Sequence, residues 1–131
     1  MPRFATKQLP KEPDVAAPDG SQVRILLRLD GGSMAHFELA PGLVSIPVAH
    51  RTVEELWYVL SGRGEMWRRD AEGEEVVEID AGVNLSIPLG TAFQFRSTGD
   101  EPLTAVAITM PPWPDEDEAY VVEGTWEPKL E

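Results

Sequence analysis

The sequence predicts one all-β domain, a sandwich or barrel of short strands. Apolar or alternating runs recur along its length, each bounded by Gly, Pro, Asp or Asn. Eight such runs at this spacing suit two packed sheets, and no internal repeat or long helical period competes with them. With 131 residues and 42% hydrophobic content there is enough for one core and too little for two ordinary domains.

Taken in order, the expected strands are Val23–Leu29, Ser33–Leu39, Glu55–Leu60, Gly64–Arg69, Glu74–Ile79, Asn84–Ile87, Ala92–Ser97 and Leu103–Met110. The turns between them read "LDGGS", "LAPG", "SGRG", "DAEGE", "DAG", "PLG" and "STGDEP". The segment "TVEELWYVL" has helix formers. Its Trp-Tyr-Val density and the Gly62/Gly64 turn behind it favour a strand. Residues 1–22 form an N-terminal arm, with four of the twelve prolines in the first twenty positions. It is either loose or an extended strand laid on a partner. Residues 23–110 form the barrel. Residues 111–131 form a tail that Trp113, Tyr120 and Trp126 pin across the barrel surface.

Composition narrows the function. A formal net charge of -12 repels nucleic-acid phosphates and anionic membranes, so neither is an expected partner. The absence of cysteine removes disulfides, thiolate metal sites and cysteine nucleophiles. No apolar run approaches the ~20 residues of a membrane span, and "MPRFATKQLPKEPD" has no signal-peptide core, so a cytoplasmic location is expected. No glycine-rich phosphate loop is present, and the serines have no candidate base beyond two histidines.

Two segments together resemble the cupin family. "PG…AHRTVEELWYVLSGRG" is similar to its first signature: a Pro-Gly turn, two histidines, a glutamate, then a glycine seven residues on. Glu55 and Gly62 hold the last two places. "GVNLSIPLGTAFQF" is similar to the second, with Gly82, Pro88 and Gly90 in register. The resemblance implies a double-sheet jelly-roll β-barrel and a dimer. Trp67, Trp113 and Trp126 are also more aromatic surface than one small barrel readily hides, which again suggests a homodimer.

The chain departs from the family at the ligands. The two histidine places of the first signature fall on Ala49 and Arg51, or on Val48 and His50, depending on the spacer. The histidine place of the second is Phe93. With only His36 and His50 in the chain, a site of three histidines and one glutamate cannot be assembled. A divalent metal (Fe, Mn, Ni or Zn) could use only a reduced set of His50, Glu55 and His36. Alternation puts His36 on the face opposite Ala35, Phe37 and Leu39, away from the core. No cofactor is expected.

If residues 49–59 alternate as one strand, Arg51, Glu55, Trp57 and Val59 face the interior, with Phe93 and Phe95 across from them; His50 is a further candidate lining residue, although its parity differs from that of Glu55 unless the chain bulges there. This is an aromatic cavity for a small molecule. Glu55 and Arg51 are its candidate acid/base pair, with Arg51 also suited to hold a carboxylate or polyol. Three function classes stay open: a metal-free small-molecule-binding protein or acid/base isomerase, epimerase or lyase; a metal-dependent dioxygenase or isomerase; and a non-catalytic module. Gln94 has outward parity and suits an interface.

Overall fold

Alternation at period two and glycine-bearing turns produce two antiparallel sheets, seen in a computed structural model that describes residues 3–131. Residues 1–2 of the expected arm lie outside the described residues. Eleven strands are present among the described residues: β1 (Val15–Ala16), β2 (Gln22–Leu29), β3 (Gly32–Leu39), β4 (Val48–His50), β5 (Glu54–Ser61), β6 (Arg63–Asp70), β7 (Gly73–Asp80), β8 (Asn84–Ile87), β9 (Ala92–Ser97), β10 (Leu103–Met110) and β11 (Ala119–Val121). The eight expected strands are all there, each within a residue of its expected ends. Among the described residues the one helical element is a 3₁₀ turn at Glu116–Glu118, and no helix there is long and apolar enough to cross a membrane.

The first sheet runs β1-β2-β3-β10-β5-β8 and the second β11-β4-β9-β6-β7. Their facing sides make the core. β10 and β5 bury every second residue, so Ala105 and Ala107 meet Val59 and Trp57 across the ladder. From the second sheet Val48, Met66, Phe93 and Phe95 close against them. The small side chains on β10 leave room for the large ring of Trp57. It stacks on Phe37 at 5.3 Å and meets Phe95 edge-on at 5.0 Å.

The β5–β6 turn depends on Gly62. Its φ of +81° is left-handed, and a Cβ there would strike the Pro102 carbonyl. That turn fixes where β5 ends and hence which of its residues point inward.

The N-terminal segment differs from the expected arm. Residues 15–21 are part of the barrel rather than a loose arm. β1 pairs with β2, and the Asp19 carbonyl accepts from Ile46 N at 2.8 Å. The tail does lie across the barrel, through β11 paired with β4 and through Gln94. Gln94 is 0% exposed and serves no free surface: its outward side is covered by the chain's own tail. The tryptophans that suggested a dimer are taken up within the chain. Trp67 is buried, Trp113 packs on His50, and Trp126 lies under Arg96 at 4.3 Å. The outer face of the first sheet keeps Leu56, Tyr58 and Leu60 exposed.

Candidate functional site

One end of the barrel is hollow. A cavity of about 330 Å³ opens between the sheets, with Phe37, Trp57, Phe93 and Trp113 on its walls. Glu55, His50 and Asp19 also line it, each almost fully buried at 3%, 6% and 5% exposure.

Glu55 faces the cavity because β5 alternates from Glu54 onward, burying Glu55, Trp57 and Val59 in turn. His50 arrives from the other sheet. β4 ends at His50, and the chain bends through Arg51–Val53 before β5 begins, so the two strands do not share one alternation. That bend brings His50 Nδ1 to 3.2 Å from Glu55 Oε2, although the two are not aligned as a hydrogen bond. Two edge-on aromatic contacts hold the imidazole, to Phe93 at 5.4 Å and to Trp113 at 5.2 Å. Trp113 is placed by its own backbone N, which donates to Ser33 Oγ at 2.9 Å.

The bend also removes Arg51 from the site. Its side chain is exposed, donates from Nε to the Asp117 carbonyl at 2.9 Å, and lies over the Tyr120 ring at 4.8 Å. The expected Arg51–Glu55 pair therefore does not form. Val59 and Phe95 also stand apart from the cavity, deeper in the packed core. His36 projects from the opposite face of β3, as its parity requires, and is buried there beside Arg24.

The bend between β4 and β5 is clamped by Glu118. Its carboxylate accepts from Thr52 N at 2.6 Å, Val53 N at 3.1 Å and the Thr52 hydroxyl. Burial pushes the Glu118 carboxyl up, but these three donors outweigh it and hold it below the usual range. Glu118→Ala is expected to cost about 1–3 kcal/mol, because the buried Val53 N–H and the part-buried Thr52 N–H lose their partner. Hydrogen exchange should rise at residues 51–54. Unchanged exchange there would mean that the loop keeps its shape without the clamp.

Asp19 was not foreseen from the sequence. Its Oδ1 accepts both Ser21 N at 2.9 Å and Ser21 Oγ at 2.6 Å, an Asx turn. "PDGS" carries the turn signal, but nothing local says that the turn closes over a barrel mouth.

The electrostatics follow from burial. Loss of solvent drives the Glu55 carboxyl up to about 8, and the nearby Asp19 charge adds to this. The Trp57 indole N–H favours the ionised form slightly, without an aligned bond. Burial also raises Asp19, against the two Ser21 donors. It lowers His50 to about 4, with Glu118 opposing weakly. At neutral pH Glu55 therefore holds a proton and His50 is uncharged, so their contact is not an ion pair.

A resident metal ion of the family type needs at least three converging donors. Among the described residues no three His, Cys, Asp or Glu side chains come together in that way. Phe93 stands where a donor would be required, and His36 is on the wrong face of its sheet. The described side chains do not make the three-donor set that a resident metal ion of that type would need.

Comparison with known proteins places this geometry. The family model described as the cupin domain matches residues 35–109. The uncharacterized protein MJ1618 of Methanocaldococcus jannaschii is 31% identical over 104 residues, covering 76% of this chain and 80% of that one. An uncharacterized conserved protein with a double-stranded beta-helix domain from Klebsiella pneumoniae superposes with a TM-score of 0.65 at 18% identity, over 79% of this chain and 85% of that one. Oxalate decarboxylase from Bacillus subtilis, which has Mn(II) centres, superposes at 0.67 with 21% identity, over 86% of this chain but only 30% of its own. At such identities the two structural likenesses speak to fold alone.

Proposed function

This chain belongs to the cupin domain family, and from that premise we propose that it binds a small molecule in the barrel mouth and moves a proton on it through Glu55 and His50. The reaction class is that of an acid/base isomerase, epimerase or lyase. One observation carries the reading: a carboxyl group that holds its proton at neutral pH lies 3.2 Å from a neutral imidazole, both on the wall of a ligand-sized cavity.

Acid/base chemistry on a carbon skeleton needs a group that gives a proton and one that takes it, both in hydrogen-bond reach of the substrate. Glu55 starts as the acid and His50 as the base. The hydrophobic walls keep bulk water from levelling their pKa values. Arg51, outside the cavity, takes no part. The fold alone does not select this function, since barrels of this architecture serve unrelated chemistries.

The test is solvent exchange. Compounds that raise the melting temperature would be incubated with the protein in D₂O and followed by proton NMR. A true substrate is expected to gain deuterium at carbon. Glu55→Gln should lower the exchange rate by roughly a hundredfold or more, the usual weight of a general acid/base. Stabilising compounds that never exchange, or exchange that survives in Glu55→Gln, would overturn the proposal.

A further inference from the structure

The cavity has an imbalance of charge that proton transfer alone does not explain. Its lining carries three acidic side chains, Asp19, Glu55 and Asp115, against Arg28, which is exposed on β2, and His50, which is uncharged at neutral pH. Asp115 is occupied as the cap of the 3₁₀ turn, accepting from Asp117 N at 2.9 Å. Asp19 and Glu55 remain, both buried, and no Lys or Arg is buried beside them among the described residues.

Isolated buried carboxylates are costly, and proteins normally pair them with a cation. Here the polar atoms around them are also uncommitted. Both hydrogen bonds to Asp19 go to Oδ1, and both come from Ser21. Trp57 Nε1 and His50 Nδ1 are buried without an aligned partner. The rest of the wall is aromatic, from Phe37, Trp57, Phe93 and Trp113.

We infer that the ligand of this cavity is an organic cation, an amine or quaternary ammonium, whose positive charge is met by Asp19 and Glu55 within the aromatic wall. Carboxylates supply the counter-charge, and aromatic rings attract a desolvated ammonium through their quadrupoles. An anionic ligand would meet two acids and no buried cationic side chain among the described residues. The chain's net charge of -12 further favours the approach of cations. As the cation enters, Glu55 gives its proton to solvent, so with this ligand class it starts the reaction as the base, the reverse of its role toward an uncharged ligand. The inference rests on the small-molecule reading above and names the ligand class for it.

Benzylamine, an ammonium at neutral pH, and its uncharged analogue benzyl alcohol are the probes, titrated into the full chain by calorimetry. Benzylamine is expected to bind roughly tenfold tighter or more, the weight of a desolvated cation among aromatic rings. Indole N–H signals of Trp57 and Trp113 should shift, and benzoate should not bind. Asp19→Asn keeps an acceptor for Ser21 and removes the charge, so it should abolish the preference for benzylamine over benzyl alcohol. Glu55→Gln should reduce the preference in a second background, should the first variant fail to fold. Equal or tighter binding of benzyl alcohol overturns the cation assignment and leaves small-molecule binding standing. So does a preference that survives both substitutions. Failure of both probes also overturns it, while neutral compounds that exchange deuterium would keep the broader reading intact.

Discussion

Glu55→Gln is expected to stabilise the protein at pH above about 8, and to flatten the wild type's loss of stability as pH rises toward that value. The folded-state pKa of Glu55, about 8, lies above its ordinary 4.5. The favourable contribution of the protonated carboxyl is thus complete below about 4.5 and is lost as pH rises through about 8. His50 works the other way. Its folded pKa of about 4 lies below 6.5, so its contribution is present above 6.5 and lost as pH falls through about 4. Between about 6.5 and about 8 the Glu55 slope therefore stands nearly alone, which is where urea melts should be compared. Asp19 is shifted in the same direction as Glu55 and leaves a residual slope. The expected gain is on the order of a few kcal/mol. Should Glu55 instead form an ion pair with a protonated His50, glutamine would destabilise across this range. A loss of stability is thus the result that would sink the assignment.

Gln94→Ala is expected to cost about 3–5 kcal/mol and to release the tail. The amide is fully buried and uses both ends. Nε2 donates to the Ser45 and Trp126 carbonyls at 2.8 Å each, and Oε1 accepts from Thr125 N and Trp126 N at 3.0 Å each. Alanine leaves all four backbone groups without their partner, and the barrel offers no replacement. Glycine at 124 belongs to the same arrangement, since a Cβ there would lie 2.5 Å from Gln94 Oε1. Hydrogen exchange over residues 122–129 and the emission of Trp126 report the release directly. A tail that stays protected in the variant would show that β11 and the Val44–Lys129 bridge hold it without Gln94.

Most of the barrel was legible because its cause is local. Alternation within "EELWYVLS" places Glu55 and Trp57 on one face without reference to any partner, and the structure puts both on the cavity wall. The error at Arg51 came from extending that alternation backward across a bend. Nothing in "VAHRTVEE" marks β4 and β5 as members of different sheets, because the clamp that separates them is Glu118, over sixty residues away. Gln94 failed for a related reason. Its parity was read correctly as pointing away from Phe93 and Phe95. What covers that face is the tail, a long-range partner that period-two reasoning cannot see. Asp19 combines the two: a legible turn with an illegible destination.

The matched family segment, residues 35–109, contains Glu55, His50, Trp57 and Phe93. Asp19, Trp113 and Asp115 lie outside it, in the two flanking stretches that roof the cavity. The proposed proton-transfer pair, Glu55 and His50, thus lies within the matched segment, while Asp19 and Trp113, proposed to help select the ligand, lie outside it and can be inherited separately. A relative could keep the barrel residues intact and exchange its flanks, and would then do similar proton chemistry on a different compound. Ligand assignments should accordingly be carried between such proteins only after the flanks have been compared, however well their barrels agree.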